Sequence, residues 1–185
     1  VNPGVEVVQS VRAYPAVRDV PGEVDLAVIV VPRARVSGVV DECIAKGVKA
    51  LVVISAGFAE TCEAGKAAED EITRRVRAAG MRMVGPNCLG LLNTDPAVSL
   101  DATFAPIWPP HGNVAFSSQS GAVGIAIIDY ARELGIGIRQ FVSVGNKADV
   151  SGNDLIEYWE SDPETRVILL YLESFGNPLR FTQIA

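Results

Sequence analysis

Histidine is almost absent from this sequence: one residue in 185, His111. A Ser-His-Asp triad or a histidine-metal centre therefore has a single candidate imidazole. That residue lies in Pro109-Pro110-His111-Gly112, immediately before a strand-like run. In an open parallel sheet ligands gather at the opposite, carboxyl ends of the strands, so His111 reads as a solvated loop residue. Cysteine is scarce as well. Cys43, Cys62 and Cys88 are odd in number and widely spaced, which fits neither a disulfide framework nor a CxxC metal pattern. A reducing cytoplasm and no metal are expected. Basic residues are outnumbered, 16 Lys+Arg against 22 Asp+Glu, with a net charge of −6. They never exceed two in succession (Arg74-Arg75), so the phosphate-neutralising surface that nucleic acid needs is lacking, and so is a basic membrane patch. The longest apolar run, residues 26–32, falls far short of the roughly 20 residues of a membrane-spanning helix. No signal peptide is visible. A GxGxxG between strand and helix is missing too, which weighs against a dinucleotide dehydrogenase. The 49% hydrophobic content excludes disorder as the main state.

What is there is an alternation of short β-branched runs with helical patterns. Residues 26–31 read as a strand stopped by Pro32. Val36, Val39, Val40 and Ile44 then recur at helical spacing, and Gly47 stands where a C-terminal capping glycine belongs. A second strand, 50–54, ends in Ser55-Ala56-Gly57. A helix over about 63–79 carries acids at its start and Arg74, Arg75 and Arg77 at its end, the order its dipole favours. Residues 81–84 make a third strand. The strands are continuous apolar runs, as in parallel sheets covered on both faces. Residues 85–113, with five prolines, read as a linker. The rhythm restarts with a strand at 114–117, a helix over about 122–134, a strand at 138–144, a helix at 154–161 and a strand at 167–172. The fold class is α/β: two parallel-sheet units, 1–105 and 112–185.

The carboxyl-end rule selects the stretches at 31–32, 54–57, 85–88, 117–121, 145–147 and 173–174. Ser118-Gln119-Ser120-Gly121 opens a helix. It is either a serine N-cap or a place where free N–H groups and the helix dipole stabilise an anion such as a phosphoryl group. Cys88, with no histidine near in sequence, reads as a small buried hydrophobe rather than a nucleophile. Glu173 ends an apolar strand, either as an exposed residue or as a carboxylate that orients an imidazole supplied from elsewhere.

Six strings in order carry more information than any one of them. Val24 to Pro32, Val53-Ile54-Ser55-Ala56-Gly57-Phe58, Gly85-Pro86-Asn87-Cys88-Leu89-Gly90, Gly112-Asn113-Val114-Ala115-Phe116, Ser118-Gln119-Ser120-Gly121 and Gly145-Asn146-Lys147-Ala148-Asp149-Val150, with Val1-Asn2-Pro3 before them, span nearly the whole chain. Together they resemble the NDP-forming acyl-CoA synthetases, relatives of the α subunit of succinyl-CoA synthetase, and above all their ADP-forming acetyl-CoA synthetase branch.

The resemblance implies a Rossmann-like CoA-binding domain followed by a flavodoxin-like ligase domain. It implies an acyl phosphate whose phosphoryl group passes to a histidine and then to ADP on an ATP-grasp unit with magnesium. By position, Pro32, Ile54, Ser55, Ala56 and Gly57 would contact CoA, and Asn87 and Cys88 would sit near its reactive end. Ser118, Gln119, Ser120 and Gly121 would face the phosphohistidine, and Glu173 would orient it. His111 does not match that histidine. The family's glycine-rich phosphate loop and N-terminal strand, the catalytic histidine, the rest of the ligase domain and the ATP-grasp unit are all expected outside these 185 residues. The chain is expected to be a fragment, inactive alone, of an oligomeric cytoplasmic enzyme acting on CoA and a small carboxylic acid. Ile125 replaces the tyrosine of the succinate-specific branch, which argues against succinate. Two rivals remain: a CoA- or acyl-CoA-sensing module fused to a lysine acetyltransferase, and an NAD-binding redox protein.

Overall fold

The computed structural model describes residues 1–184. A two-residue hairpin, β1 (Val7–Val8) with β2 (Val11–Arg12), precedes the first unit. That unit is β3 (Leu26–Ile29), α1 (Arg33–Lys46), β4 (Ala50–Val53), α2 (Glu63–Ala78) and β5 (Arg82–Val84). Its three strands lie in the order β3-β4-β5, all parallel. Local sequence explains the helices. Val36, Val40 and Cys43 fall on one buried face of α1. Gly47 then turns left-handed, and the N–H groups of Gly47 and Val48 return to the carbonyls of Ile44 (3.1 Å) and Cys43 (3.0 Å), satisfying the helix end. In α2, Gly65, Glu69, Ile72, Thr73 and Val76 form the buried face.

The chain continues through β6 (Gly90–Asn93), β7 (Leu100–Thr103), β8 (Val114–Ser118), α3 (Gly121–Glu133), β9 (Ile138–Ser143), α4 (Gly152–Glu160), β10 (Val167–Tyr171) and α5 (Pro178–Ile184). The second sheet has the order β10-β8-β9-β6-β7. Its β10, β8 and β9 are parallel, as expected, whereas β6 runs antiparallel to both β9 and β7. The stretch read as a proline-rich linker is therefore largely a hairpin. Residues 90–103, which the sequence reading assigned to the first domain, hydrogen-bond to the second sheet. Arg139 on β9 fastens the hairpin turn by its ion pair with Asp95 (3.1 Å) and is itself held by Asp162 (2.7 Å), just after α4.

Helix α3 covers one face of this sheet, with Ile128 and Ala131 packed among Phe116, Phe141, Leu89, Leu92 and Ile138. Helix α4 covers the other, where Trp159 donates to Gln140 Oε1 (2.9 Å). One apolar cluster spans both units: Val52, Val84 and Cys88 from the first meet Ala115, Val142, Val144 and Leu155 from the second. Among the described residues no helix is long and apolar enough to cross a membrane.

Candidate functional site

The two sheets meet where the loops at the strand ends converge. The loop after β5 and the turn after β9 run side by side. Asn146 N–H donates to Pro86 C=O (2.9 Å), Ala148 N–H to Gly85 C=O (3.2 Å) and Val150 N–H to Met83 C=O (3.1 Å). Asp149 locks this seam. Its buried carboxylate accepts from Arg77 Nε (2.7 Å), Arg82 Nε (3.0 Å) and the Met83 N–H (2.7 Å). Gly145 occupies the tightest point: with φ +54, an added Cβ would lie 2.4 Å from the carbonyl oxygens of Pro86 and Asn87.

On the first-sheet side, Ser55 is buried and its hydroxyl is already engaged. It donates to Val31 C=O (2.6 Å) and accepts from Val31 N–H (3.1 Å), tying the end of β3 to β4. Ile54 is half-buried and joins the apolar cluster at the seam, while Ala56 and Pro32 are exposed and Gly57 half-exposed. What faces outward is thus small side chain and backbone. Asn87 is exposed and sends its amide to Asn146 Oδ1 (3.2 Å). Cys88 is buried, with its thiol against Val53 C=O (3.3 Å), and burial pushes that thiol up to about 12. A thiol so buried and held protonated is no nucleophile, and the loop faces outward through its backbone and the Asn87 side chain.

Around these loops stand Glu60 and Glu69, which the sequence reading did not single out, and both meet Asn146 of the stretch 145–147. Asn146 Nδ2 donates to both Glu60 Oε2 (2.6 Å) and Glu69 Oε2 (2.7 Å), and Glu69 is buried within α2. Burial pushes the Glu60 carboxyl up. The hydrogen bonds from Asn146 and from the Gly57 and Phe58 amides outweigh that and hold it below the usual range. These partners lie 77 and 86 residues from Asn146, so no local pattern could reveal them.

On the second-sheet side, Ser120 caps α3, accepting from Val123 N–H (3.4 Å), and Gly121 is the first helical residue. Ser118 is buried and donates to Ser120 C=O (2.6 Å). Gln119 reaches across to the loop after β10, where its Oε1 accepts the N–H groups of Glu173 (3.0 Å) and Ser174 (3.2 Å). Lys147 Nζ completes the same loop, donating to Ser174 C=O (2.5 Å) and Oγ (2.6 Å) and lying 3.4 Å from Gln119 Oε1. Glu173 itself is exposed. His111 sits at the far end, its Nδ1 3.0 Å from Thr94 Oγ1. Because that hydroxyl donates to Ile138 C=O (2.6 Å), Nδ1 is the donor. The loops at both sheets' carboxyl ends, bridged by residues 145–147, thus offer backbone donors, a helix N-terminus, one ammonium group and exposed carboxylates.

Comparison with known proteins decides the lineage. A family described as "CoA binding domain" matches residues 1–94, and one described as "Succinyl-CoA ligase like flavodoxin domain" matches residues 111–185. The chain belongs to the NDP-forming acyl-CoA synthetase family. Among curated members, it is 46% identical over all 185 residues to the acetate–CoA ligase (ADP-forming) II subunit alpha of Pyrococcus furiosus, of which it spans 40%. It is 43% identical over the same length to the acetate–CoA ligase (ADP-forming) of Methanocaldococcus jannaschii, of which it spans 26%. Among solved synthetases, the dinucleotide-forming acetyl-coenzyme A synthetase 1 of Ca. Korarchaeum cryptofilum, in complex with phosphate and ADP, superposes with a TM-score of 0.92 at 45% identity. That match takes in 100% of this chain and 39% of the other. The chain therefore spans between about a quarter and two fifths of the synthetases it resembles.

Proposed function

We propose that the complete protein is an ADP-forming acyl-CoA synthetase of the acetate class, and that these residues hold CoA on the first sheet and open the acyl-phosphate site on the second. The observation that carries this reading is the convergence of the two sets of strand-end loops on one seam, where a thiol lying along the first sheet would meet an anion at the second. The overall reaction is acid, ATP and CoA to acyl-CoA, ADP and phosphate.

The first-sheet surface suits the pantetheine arm of CoA. Pro32, Ala56 and Gly57 present backbone and little side chain, and the Ser55 hydroxyl is spent internally, so amide groups of a ligand would pair with the main chain. At the second sheet, the α3 N-terminus at Ser120 and Gly121 would stabilise phosphoryl oxygens through free N–H groups and the helix dipole. Glu173 cannot help that anion by charge. Its role is to accept an N–H from a histidine outside this chain and so fix the ring's tautomer and orientation. An ATP-grasp subunit or domain with magnesium would supply the nucleotide site.

The test is two substitutions in the full-length protein. Ala56→Trp fills the CoA surface and should weaken CoA binding, measured by calorimetry, with the fold intact. Glu173→Gln should slow phosphoenzyme formation in rapid quench by about 10²-fold, the scale of a positioned proton-handling group. Unchanged CoA affinity and unchanged phosphoenzyme kinetics would sink the reading.

A further inference from the structure

The turn after β9 places two polar side chains side by side and sends them in opposite directions. Among the described residues the Asn146 side chain reaches only first-sheet partners, Glu60, Glu69 and Asn87. The Lys147 side chain reaches only second-sheet partners there: the carbonyl and hydroxyl oxygens of Ser174 and, more distantly, Gln119. The turn between them is fixed by main-chain bonds, Asn146 N–H to Pro86 C=O and Lys147 N–H to Val144 C=O (2.8 Å). Lys147 holds a left-handed φ of +49, a conformation that costs a non-glycine residue energy and persists only where its surroundings enforce it.

The partners matter more than the turn. Gln119 and Lys147 between them take up both amides, one carbonyl and the hydroxyl of the pair Glu173-Ser174, so the loop that carries the exposed Glu173 carboxylate is pinned from two sides. The Lys147 ammonium is matched there by a carbonyl, a hydroxyl and an amide oxygen rather than by a directly bonded carboxylate. Burial lowers its pKa, and the charge of Glu173 opposes that at longer range. On the other side, Asn146 holds Glu60, whose carboxylate in turn takes the Gly57 and Phe58 N–H groups, and so sets the loop after β4 against Asn87.

We propose that Asn146 and Lys147 are paired positioning residues that hold the CoA-side loops and the Glu173 loop in register across the seam. This rests on the acyl-CoA synthetase reading. In the acyl-transfer step the CoA thiol gives its proton to solvent, from which the departing phosphate regains one, and the sulfur attacks the acyl carbon of the acyl phosphate. The C–S bond forms, the C–O bond to phosphate breaks, and phosphate leaves with that electron pair. The sulfur and carbon must stand about 3–3.5 Å apart, and a misplacement of about 1 Å costs about 10²-fold. One rigid turn contacting both loops fixes that separation without touching either reactant.

The prediction is a split between steps, which a merely structural residue would not give. In the full-length protein, with its ATP-grasp component, phosphoenzyme formation from ATP is measured without CoA, and the KM for CoA in the overall reaction; a third reading, the rate of thioester formation from CoA and acyl phosphate, should slow in either variant. Asn146→Ala should raise the KM for CoA about tenfold and leave phosphoenzyme formation within about twofold of wild type. Lys147→Met should leave the KM for CoA unchanged and slow phosphoenzyme formation about 10²-fold, and Lys147→Arg should recover most of that loss. If Asn146→Ala fails to fold, Glu60→Gln tests the same link from an exposed side chain and should move only the KM for CoA. Equal losses in the first two measurements for each variant, wild-type behaviour in both, or unslowed thioester formation overturn the inference while leaving the synthetase reading intact. A wild-type protein with no acid-dependent ADP formation overturns both.

Discussion

The seam between residues 83–88 and 145–150 and the rim formed by residues 119 and 173–174 are both held by polar groups, yet they are built on opposite terms. At the seam a fully buried carboxylate is surrounded by donors, and there is no room for a single added carbon at Gly145. At the rim the loop is exposed and tied down by two long side chains. A buried polar network is expensive to disturb because each member left without its partner keeps the full cost of its desolvation. An exposed one exchanges its bonds for water. The seam therefore sets the architecture, and the rim can be altered with the fold intact.

Substitutions can sharpen or break this contrast. The largest effect is expected for Gly145→Val, which combines a left-handed backbone with carbonyl oxygens at 2.4 Å from the new Cβ; overpacking and strain together should cost about 3–5 kcal/mol in denaturant unfolding. Asp149→Ala leaves the buried Met83 N–H without its acceptor, while the two guanidinium groups, both more than half exposed, turn to water; it should cost about 2 kcal/mol by the same measurement. At the rim, Gln119→Leu should cost only about 1 kcal/mol, because water can take over the released amides. It should instead appear as faster hydrogen exchange at Glu173 and Ser174. A rim variant that destabilises as much as Asp149→Ala would erase the distinction.

The smallest effect at neutral pH concerns the thiols. Burial raises Cys43 to about 11, with Glu42 adding to it, and Cys88 to about 12. Both groups bind their protons more tightly in the folded state, so their contribution is complete below the ordinary thiol range. It is lost as pH rises from that range through the folded values. Stability should therefore be flat through neutrality and fall above about pH 9. Exposed Cys62, held below the usual thiol value by the Gly65 N–H above all, should be alkylated in the native protein while Cys43 and Cys88 react only on unfolding. Native labelling of Cys88 would place it outside the seam.

The contrast also explains what the sequence could tell. The helices α1 and α2 and their ends were legible because their evidence is local: Val36, Val39, Val40 and Ile44 recur at helical spacing, and Gly47 follows soon after. The strand-end stretches were legible because small and polar residues interrupt apolar runs. The hairpin of β6 and β7 was not, because its four-residue strands lie among prolines and β9, the strand that β6 joins, is more than forty residues on. Asn146, Lys147, Glu60 and Glu69 were missed as site residues for the same reason. Asn146 and Lys147 stood inside a recognised motif, but their partners are set by the meeting of two sheets, and the family resemblance named the motif without saying what its side chains hold.

The place of that hairpin has a consequence for how the chain is made. Residues 90–103 precede β8 and β9 in synthesis yet lie beyond β9 in the finished sheet. An isolated two-stranded hairpin is at best marginally stable in water, and this one has no edge to join until residue 143 has been added. Closing that long interval is entropically slow. The hairpin is accordingly a late-docking element, and for a time the growing chain carries Leu91 and Leu92 without the strand that will cover them.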